Sequence, residues 1–390
     1  MSKLFLILNE DINAAIKKGE IIDRKHNPLN YFTEVCFIIL KEHRKVDIKI
    51  LKRLVGDAKL QIHYVDINFK KILFLSFFNM DSFLIENTYN KIKQIFLSFQ
   101  PDLIRANGMA LNFLFAYKLS KEFSKPYVLS LHNQFDELKK IEKSSFKKSL
   151  INTYFEKKII PPLKNANLVI GVYSPINWYA DKIGVKTYKT IYNVINPLNI
   201  TKKENYNIDN KFKIISIGRQ IIGRDLSEII KAVSKLKNVE FLIIGDGEYH
   251  NKLIELSKKL GIFKTKVFFK KSVSNNEICK LLPTYDVYIA HSEYAELAKT
   301  TMEAMLTGLP CILNIRDGQC VQELNDSKII LLTNQAENYY NTLVELENSL
   351  EYRKKIGLNL QRYANETFAP LLIEQKLTNE YNNILGKNDV

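Results

Sequence analysis

The feature of this sequence that most constrains its fold is the alternation of strand-like and helix-like patterns. Short apolar runs alternate with segments whose apolar residues recur at helical spacing through most of the 390 residues. Parallel strands need a long connection between them, and that connection is usually a helix. The alternation therefore predicts an α/β fold built from doubly wound, Rossmann-like parallel sheets.

One polar stretch, residues 196–211, interrupts the alternation and has no apolar periodicity. Such a stretch is typical of a linker, so we predict one domain over residues 1–198 and a second over residues 199–370. The last predicted helix, within 371–390, can pack back on the first domain. Two tandem domains of this kind make a central cleft, outside the carboxyl ends of the strands, the expected ligand site.

Each domain has its own set of predicted elements. In the first, strands are expected at 4–8, 35–40, 102–105, 127–131 and 168–173, with helices at 84–99, at 111–123 and from Pro175. In the second, strands are expected at 212–217, 240–244, 266–269, 286–290 and 311–314, with helices at 226–236, up to Leu260 and from near Thr300.

The chain is strongly basic, with 57 Lys and Arg against 42 Asp and Glu and a net charge of +15. We therefore expect an anionic partner. Arginine is rare among the basic residues. The planar guanidinium group of arginine can donate two hydrogen bonds to the oxygens of one phosphate, which lysine cannot do. Each arginine position is therefore informative about anion binding.

Several classes of protein are excluded by composition and motifs. The four cysteines form no C-x-x-C pair, so neither a disulfide framework nor a zinc site is expected. The N-terminus lacks a signal-peptide cleavage site, and no apolar run approaches the ~20 residues of a membrane span. We expect a cytoplasmic protein, soluble or peripheral, without a nucleic-acid partner because no nucleic-acid module is recognised.

Two strand-to-helix turns of the second domain carry glycines. The first begins with Gly218-Arg219 and reaches a second rare arginine, Arg224, five residues later. A turn of this type presents backbone N–H groups at the positive end of a helix, which suits an anion. The second turn begins at Gly245 and is not a complete dinucleotide fingerprint, so it serves either as punctuation between strand and helix or as a direct ligand contact.

A third feature follows the strand predicted at 286–290. Glu296 lies in the loop, and the next helix begins near Thr300 and Thr301, whose backbone N–H groups point out of its first turn. Glu303 lies about one turn further on, where a carboxylate can accept hydrogen bonds from the hydroxyl groups of a ribose. The alternative is that these acids form a solvated rim.

Taken together, these segments resemble the retaining glycosyltransferases of family 4, which have the GT-B fold. The resemblance covers most of the chain and is strongest between residues 212 and 313. The segments 101–108, 126–133, 166–174 and 191–194 look like the equivalent strands of the family's first domain. The motifs of the second domain occur in the family's order: Ile-Gly218-Arg219 followed by Arg224, Ile-Ile-Gly245-Asp-Gly, Asp286-Val-Tyr-Ile-Ala-His-Ser and Glu303-Ala-Met-x-x-Gly-x-Pro.

The resemblance implies that the second domain binds a nucleotide-sugar donor and the first domain binds the acceptor. Arg219 matches the arginine that binds the donor diphosphate, and Arg224 stands where the family usually has lysine. Glu303 matches the second glutamate of the family's E-x7-E motif, the ribose ligand. Glu296 is one residue too close to match the first glutamate, so either the loop is shorter and Glu296 serves, or that role is redistributed. The other implied donor-binding residues are Gly218, Gly245, Ser272, Val273, Lys299, Thr300 and Thr301.

Other positions leave parts of the specificity open. His132 matches the family's histidine that faces the donor sugar across the cleft. Lys271, in the loop that holds the base, and Lys299, near the sugar, both stand where the family commonly has glycine. The nucleotide of the donor therefore stays undecided between UDP and GDP, and the sugar pocket departs from the family's usual form. The glycine-rich loop that follows the family's first strand is missing.

The resemblance also implies a reaction. Such enzymes transfer a sugar, here expected to be a hexose, to a glycan or lipid-linked acceptor with retention of configuration, in bacterial surface polysaccharide or glycolipid synthesis. No metal or other cofactor is expected, because cations and helix ends neutralise the diphosphate. The alternatives are a nucleotide-sugar epimerase or hydrolase of the same fold, and a catalytically inactive homologue that binds sugar nucleotides.

The lysine excess is partly concentrated in Lys139–Lys158, where apolar residues are interleaved with the lysines. This pattern is typical of a basic amphipathic helix. Two interpretations are open: the helix docks the acceptor domain on an anionic membrane surface, or it presents a solvated face.

Overall fold

The protein forms two compact units, seen in a computed structural model that describes residues 2–8, 12–40, 46–76, 80–108, 111–132, 134–136, 146–196, 199–316, 318 and 320–387. The first unit joins Met1–Val194 with Leu371–Val390, and the second is Ile195–Pro370. Each unit contains one sheet in which all paired strands are parallel. The expectation of two doubly wound, Rossmann-like sheets is confirmed.

The first unit has a seven-stranded sheet in the order β3-β2-β1-β4-β5-β6-β7. Its strands are β1 Lys3–Leu8, β2 Glu34–Ile39, β3 Lys59–Tyr64, β4 Leu103–Asn107, β5 Tyr127–Leu131, β6 Leu168–Gly171 and β7 Tyr188–Thr190. Its helices are α1 Ile12–Lys17, α2 Ile48–Arg53, α3 Phe69–Ser76, α4 Ser82–Phe99, α5 Leu111–Phe123, α6 Phe146–Lys164 and α7 Pro175–Ile183.

The second unit has a six-stranded sheet in the order β10-β9-β8-β11-β12-β13. Its strands are β8 Phe212–Ile217, β9 Val239–Ile244, β10 Val267–Lys270, β11 Val287–Ile289, β12 Cys311–Asn314 and β13 Ile330–Leu332. Its helices are α8 Ser227–Lys235, α9 His250–Lys259, α10 Asn275–Leu281, α11 Lys299–Thr307, α12 Gln322–Asp326, α13 Ala336–Asn348 and α14 Leu350–Phe368. The final helix, α15 Pro370–Leu385, belongs almost entirely to the first unit.

All ten strands predicted from the sequence are present, and the three described strands that were not predicted, β3, β7 and β13, lie at the edges of the sheets. Central strands such as β1 and β4 are buried along nearly their whole length, because helices cover both faces, and so they read as apolar runs. β3 alternates polar and apolar residues at an edge, and β7 and β13 have only three residues each. Short, half-exposed strands carry too little pattern to be recognised.

Helix α15 is anchored to the first unit by both apolar and polar contacts. Ile373, Leu377 and Tyr381 are part of that unit's hydrophobic core. The hydroxyl of Tyr381 accepts a hydrogen bond of 2.7 Å from Nη1 of Arg105 on β4. None of the described helices is long and apolar enough to cross a membrane.

Helices α11 and α14 of the second unit approach each other closely at two glycines. Gly308 ends α11 with φ +89°, a left-handed conformation that favours glycine. A Cβ at Gly357, on α14, would lie 2.3 Å from the carbonyl oxygen of Gly308 and 2.7 Å from the ring of Tyr206. This contact fixes the position of α11, whose first turn contributes to the site described below.

Replacing Gly357 by alanine tests that contact. In an open helix the change would stabilise the protein by up to about 1 kcal/mol. Here the clash with the backbone of Gly308 outweighs that gain in stability. We therefore expect the free energy of unfolding, measured by urea denaturation, to fall by about 1–3 kcal/mol. Asn359→Ala, on an exposed position of the same helix, is the control and should stay within about 0.5 kcal/mol of wild type. A Gly357→Ala protein as stable as wild type would contradict the close approach.

Candidate functional site

The polar residues of the second unit meet where its strand order reverses, between β8 and β11. The carboxyl ends of neighbouring parallel strands lie at the same edge of a sheet, and loops at such a switch point form a crevice. Gly218 directly follows β8, and the loop after β11 leads into α11. The hydroxyl of Thr300 donates to the carbonyl of Ile217 at 3.3 Å, so the first turn of α11 lies against the end of β8.

The N-terminus of α11 has no side-chain cap. Ala298 occupies the N-cap position and offers no oxygen to the first N–H groups of the helix. The hydroxyls of Thr300 and Thr301 lie 3.1 and 3.4 Å from the hydroxyl of Tyr288. Burial raises the pKa of Tyr288 to about 12, so this hydroxyl stays protonated. The first N–H groups of this helix thus lack a side-chain cap beside Gly218, and a helix end of this type suits an anion.

The two arginines of the first turn have different surroundings. Arg219 is exposed and forms no hydrogen bond or ion pair with any residue that the structure describes. Nη2 of Arg224 instead contacts both carboxylate oxygens of Glu296, at 2.6 and 2.7 Å, and its guanidinium lies 5.3 Å from the ring centre of Tyr294. Arg219 is therefore the more available of the two for an external anion.

Backbone and side-chain hydrogen bonds join the loop after β8 to the loop after β11. The amide of Glu293 donates to the carbonyl of Gly223 at 2.7 Å, and the hydroxyl of Tyr294 donates to the carbonyl of Ile222 at 3.1 Å. Arg316 donates to the carbonyl of Glu296 at 3.0 Å. The segment that carries Glu296 is thus held from two sides.

Glu303 is fully buried one turn into α11. Its Oε1 accepts a hydrogen bond of 2.9 Å from Nδ2 of Asn275, the first residue of α10, and lies 3.6 Å from Nζ of Lys299. A buried carboxylate is stable when it is paired with a cation and a hydrogen-bond donor. Ser272 is exposed and Val273 half-buried, in the short loop that leads to Asn275.

Gly245 allows the turn after β9 to pack closely against the turn after β8. With φ +150°, it approaches the backbone of Gly218 so closely that a Cβ would lie 1.9 Å from the Gly218 carbonyl oxygen. The amide of Gly218 in turn donates to the carbonyl of Ile244 at 3.0 Å. The geometry favours a structural role for this glycine, in the turn between strand and helix. Direct contact with a ligand stays a prediction.

The structure places most of the predicted residues of the second unit together and adds others. Arg219, Thr300 and Thr301 lie around the end of β8, and Glu303 joins them through α11. Asn275, Tyr288 and Arg316 were not predicted, although the capping box of Ser274 and Glu277 marks the start of α10 and could have drawn attention to Asn275. Arg316 is one of the few arginines of the chain, but it lies in no local sequence motif.

The remaining predicted features belong to the first unit. His132 directly follows β5, is half-buried, and accepts a hydrogen bond of 3.2 Å from the hydroxyl of Tyr173 at its carbonyl oxygen. Of the basic segment Lys139–Lys158, residues 139–145 lie outside the described part of the chain. Lys157 and Lys158 lie on α6, and Lys158 pairs with Asp81 at 3.0 Å.

Comparison with known proteins assigns a class to this arrangement. Residues 199–362, which include every predicted residue of the second unit, match the family model "Glycosyl transferases group 1". Over nearly its whole length the fold is that of HepE from Anabaena, solved in complex with UDP and glucose, with a TM-score of 0.70 and 16% identity over 98% of this chain and 100% of that one. The chain therefore has the GT-B fold, and its residues 199–362 are similar to a group 1 glycosyltransferase domain.

Two curated relatives are similar in sequence. The glycosyltransferase MJ1607 of Methanocaldococcus jannaschii, itself uncharacterized, is 27% identical over 48% of this chain, and the match spans only about half, 51%, of that relative. Protein CapJ of Staphylococcus aureus is 26% identical over 75% of this chain and 78% of the relative. The chain is thus similar in sequence to a protein described as a glycosyltransferase and to CapJ.

The pair of Arg224 and Glu296 gives a prediction about stability. Both side chains are largely buried, so a double-mutant cycle with Arg224→Ala and Glu296→Ala should show a coupling energy of about 1–3 kcal/mol in urea denaturation. Lys258 and Glu255, an exposed pair on α9, form the control and should couple by less than about 0.5 kcal/mol. Equal coupling in the two pairs would show that Arg224 is not held by Glu296 in solution.

Proposed function

We propose that this protein is a retaining glycosyltransferase that moves a hexose from a UDP- or GDP-linked donor to a glycan or lipid-linked acceptor. It acts at the cytoplasmic side of the membrane, in the synthesis of a surface polysaccharide or glycolipid, and needs no resident metal or other cofactor. The support comes from the site of the second unit, from the family match over 199–362, and from HepE, whose structure was solved with UDP and glucose.

One observation carries the proposal: an unpaired arginine and an uncapped helix end lie on either side of the turn at Gly218. Arg219 extends from this turn, and the first turn of α11 contacts the same strand end through Thr300. A planar guanidinium and converging N–H groups together match a diphosphate. Nothing in the local packing of the unit requires that combination.

The neighbouring residues match the rest of a nucleotide. In this proposal Glu303, buried and oriented by Asn275, accepts hydrogen bonds from the two ribose hydroxyls. Ser272 and Val273 hold the base through their backbone groups, and Gly245 keeps the two turns close enough to form one surface. Glu296 and Lys299 border the donor sugar, and Arg224 positions Glu296 through their ion pair.

The chemical step follows from where charge develops. The bond between the anomeric carbon and the diphosphate oxygen breaks, and negative charge builds on that leaving oxygen. Arg219 and the N–H groups at 299–301 stabilise this charge, and the N–H groups do so without reorganisation because the helix holds them. The acceptor oxygen attacks from the face that the diphosphate leaves, which retains the configuration, and its proton passes to the departing diphosphate. His132, in the first unit, also takes part in catalysis.

Arg219→Ala is the direct test of donor binding. We expect release of nucleoside diphosphate from the preferred donor, found by screening UDP- and GDP-sugars, to fall about 100-fold or more. Arg362→Ala replaces another exposed arginine of the same unit, on α14, and should leave the rate unchanged.

The same assay separates the proposal from its alternatives. Release of diphosphate that depends on an added acceptor supports a transferase, whereas release with water as the only acceptor supports a hydrolase, and a changed sugar configuration supports an epimerase. Binding of a sugar nucleotide without turnover would identify an inactive homologue. If no donor binds or reacts, the proposal is wrong.

A membrane surface is the partner that we propose for the first unit. Phe74, Met80 and Phe83 expose 62%, 61% and 70% of their surface. Asp81, between Met80 and Phe83 in sequence, accepts a hydrogen bond of 2.6 Å from Tyr154 on α6 and pairs with Lys158 of the same helix. Exposed apolar residues next to lysines match a bilayer with anionic headgroups.

Flotation with vesicles of anionic lipid tests this partner. Changing Lys139, Lys140, Lys143 and Lys147 to glutamate should release the protein from the vesicles, and 0.5 M salt should do the same to wild type. The control changes four exposed lysines of the second unit to glutamate, with the same change in net charge: Lys211, Lys237, Lys354 and Lys355. Unchanged flotation of the first variant would favour the solvated-face interpretation.

A further inference from the structure

The first unit contains a small cavity, lined by both polar and apolar residues, between its sheet and α15. Arg105 and Asn107 of β4, Ser130 of β5 and His132 line it from the sheet, and Lys25 and His26 line it from the loop after α1. Ile373 and Leu377 of α15 close the opposite side. None of the described residues that line the cavity is acidic, and two of them, Lys25 and Arg105, are basic.

Arg105 is the most unusual group in this cavity. It is only 8% exposed, and no described carboxylate forms an ion pair with it. Its Nη1 donates to Tyr381 at 2.7 Å and its Nη2 to Ser130 at 3.2 Å, while Nε has no hydrogen-bond partner among the described residues. A buried guanidinium stays charged and is costly without a counter-charge. The cavity is therefore suited to receive an anion.

The size of the cavity limits what that anion can be. Its volume is about 50 Å³, roughly the room of two water molecules in the liquid. This space admits one carboxylate or phosphate group but no sugar ring. Lys25, His132 and Tyr192 are only half-buried, so the cavity has a rim that reaches solvent.

We infer that this cavity binds an anionic group of the acceptor, a phosphate or a carboxylate, through Arg105 and Lys25. The inference rests on the proposed function, because it places the anionic group beside His132, to which the proposed function gives a catalytic role. A charged acceptor anchored there is held by a bidentate contact to Arg105, which a neutral acceptor cannot make. The acceptor is thus selected by charge as well as by shape.

A purely structural role for Arg105 explains less of the geometry. Its bond to Tyr381 does fix α15 on the sheet, but an uncharged donor would serve that purpose without the cost of a buried cation.

Titration calorimetry on the full chain tests the inference with inorganic phosphate as the probe. Saturating UDP or GDP, whichever binds, first fills the donor site, and chloride keeps ionic strength constant. We expect phosphate to bind wild type, Arg105→Gln to weaken this binding about tenfold or more, and Lys25→Gln to weaken it to a smaller extent. Acetate, titrated in the same way, shows whether a carboxylate can replace the phosphate.

Tyr381→Phe is the matched control, because it removes the same hydrogen bond to α15 but keeps the cation. Its phosphate affinity should stay close to that of wild type. If Arg105→Gln fails to fold, the phosphate affinities of Lys25→Gln and Tyr381→Phe are compared instead, and only Lys25→Gln should bind phosphate more weakly than wild type. Absence of phosphate binding to wild type, or equal binding to Arg105→Gln, would overturn the inference. The nucleotide titration on the same samples reports the donor site separately, so a failure of the proposed function is distinguishable.

Discussion

The contact between the end of β8 and the first turn of α11 is the constraint on which the site of the second unit depends. The reversal of strand order between β8 and β11 opens a gap at the sheet edge, and α11 enters it with its uncapped end first. The hydrogen bond from Thr300 to Ile217 fixes that end beside Gly218. Because Gly308 and Gly357 let α14 pack closely on α11, the remainder of the unit supports this position.

The cationic residues discussed above differ in whether they form an ion pair. Arg224 and Lys299 are each held by a glutamate, so these cations shape loops and orient carboxylates. Arg219 and Arg105, in different units, have no ion-pair partner among the described residues. These two arginines, one exposed and one buried, are the positions that we propose for anions. The exposed one suits a diphosphate and the buried one a single small group.

The sequence was sufficient for much of the fold because buried parallel strands are apolar on both faces. β5, β8 and β12 begin and end where their apolar runs do. The half-exposed β3 and the three-residue strands β7 and β13 could not be predicted, since their residues alternate or are too few to form a pattern. The same holds for Asn275, a single polar residue whose importance comes from touching Glu303.

The sequence by itself determined the two α/β domains, the positions of the turns, and the residue types that suit a nucleotide. Local patterns are enough for these features because glycine, arginine and strand-ending loops act within a few residues. Tertiary structure alone decided which charges are paired: Arg224 with Glu296, 72 residues apart, and Arg105 with the hydroxyl of Tyr381, 276 residues apart. Such pairs depend on packing between distant elements, so no local pattern separates an engaged arginine from one left to bind a ligand.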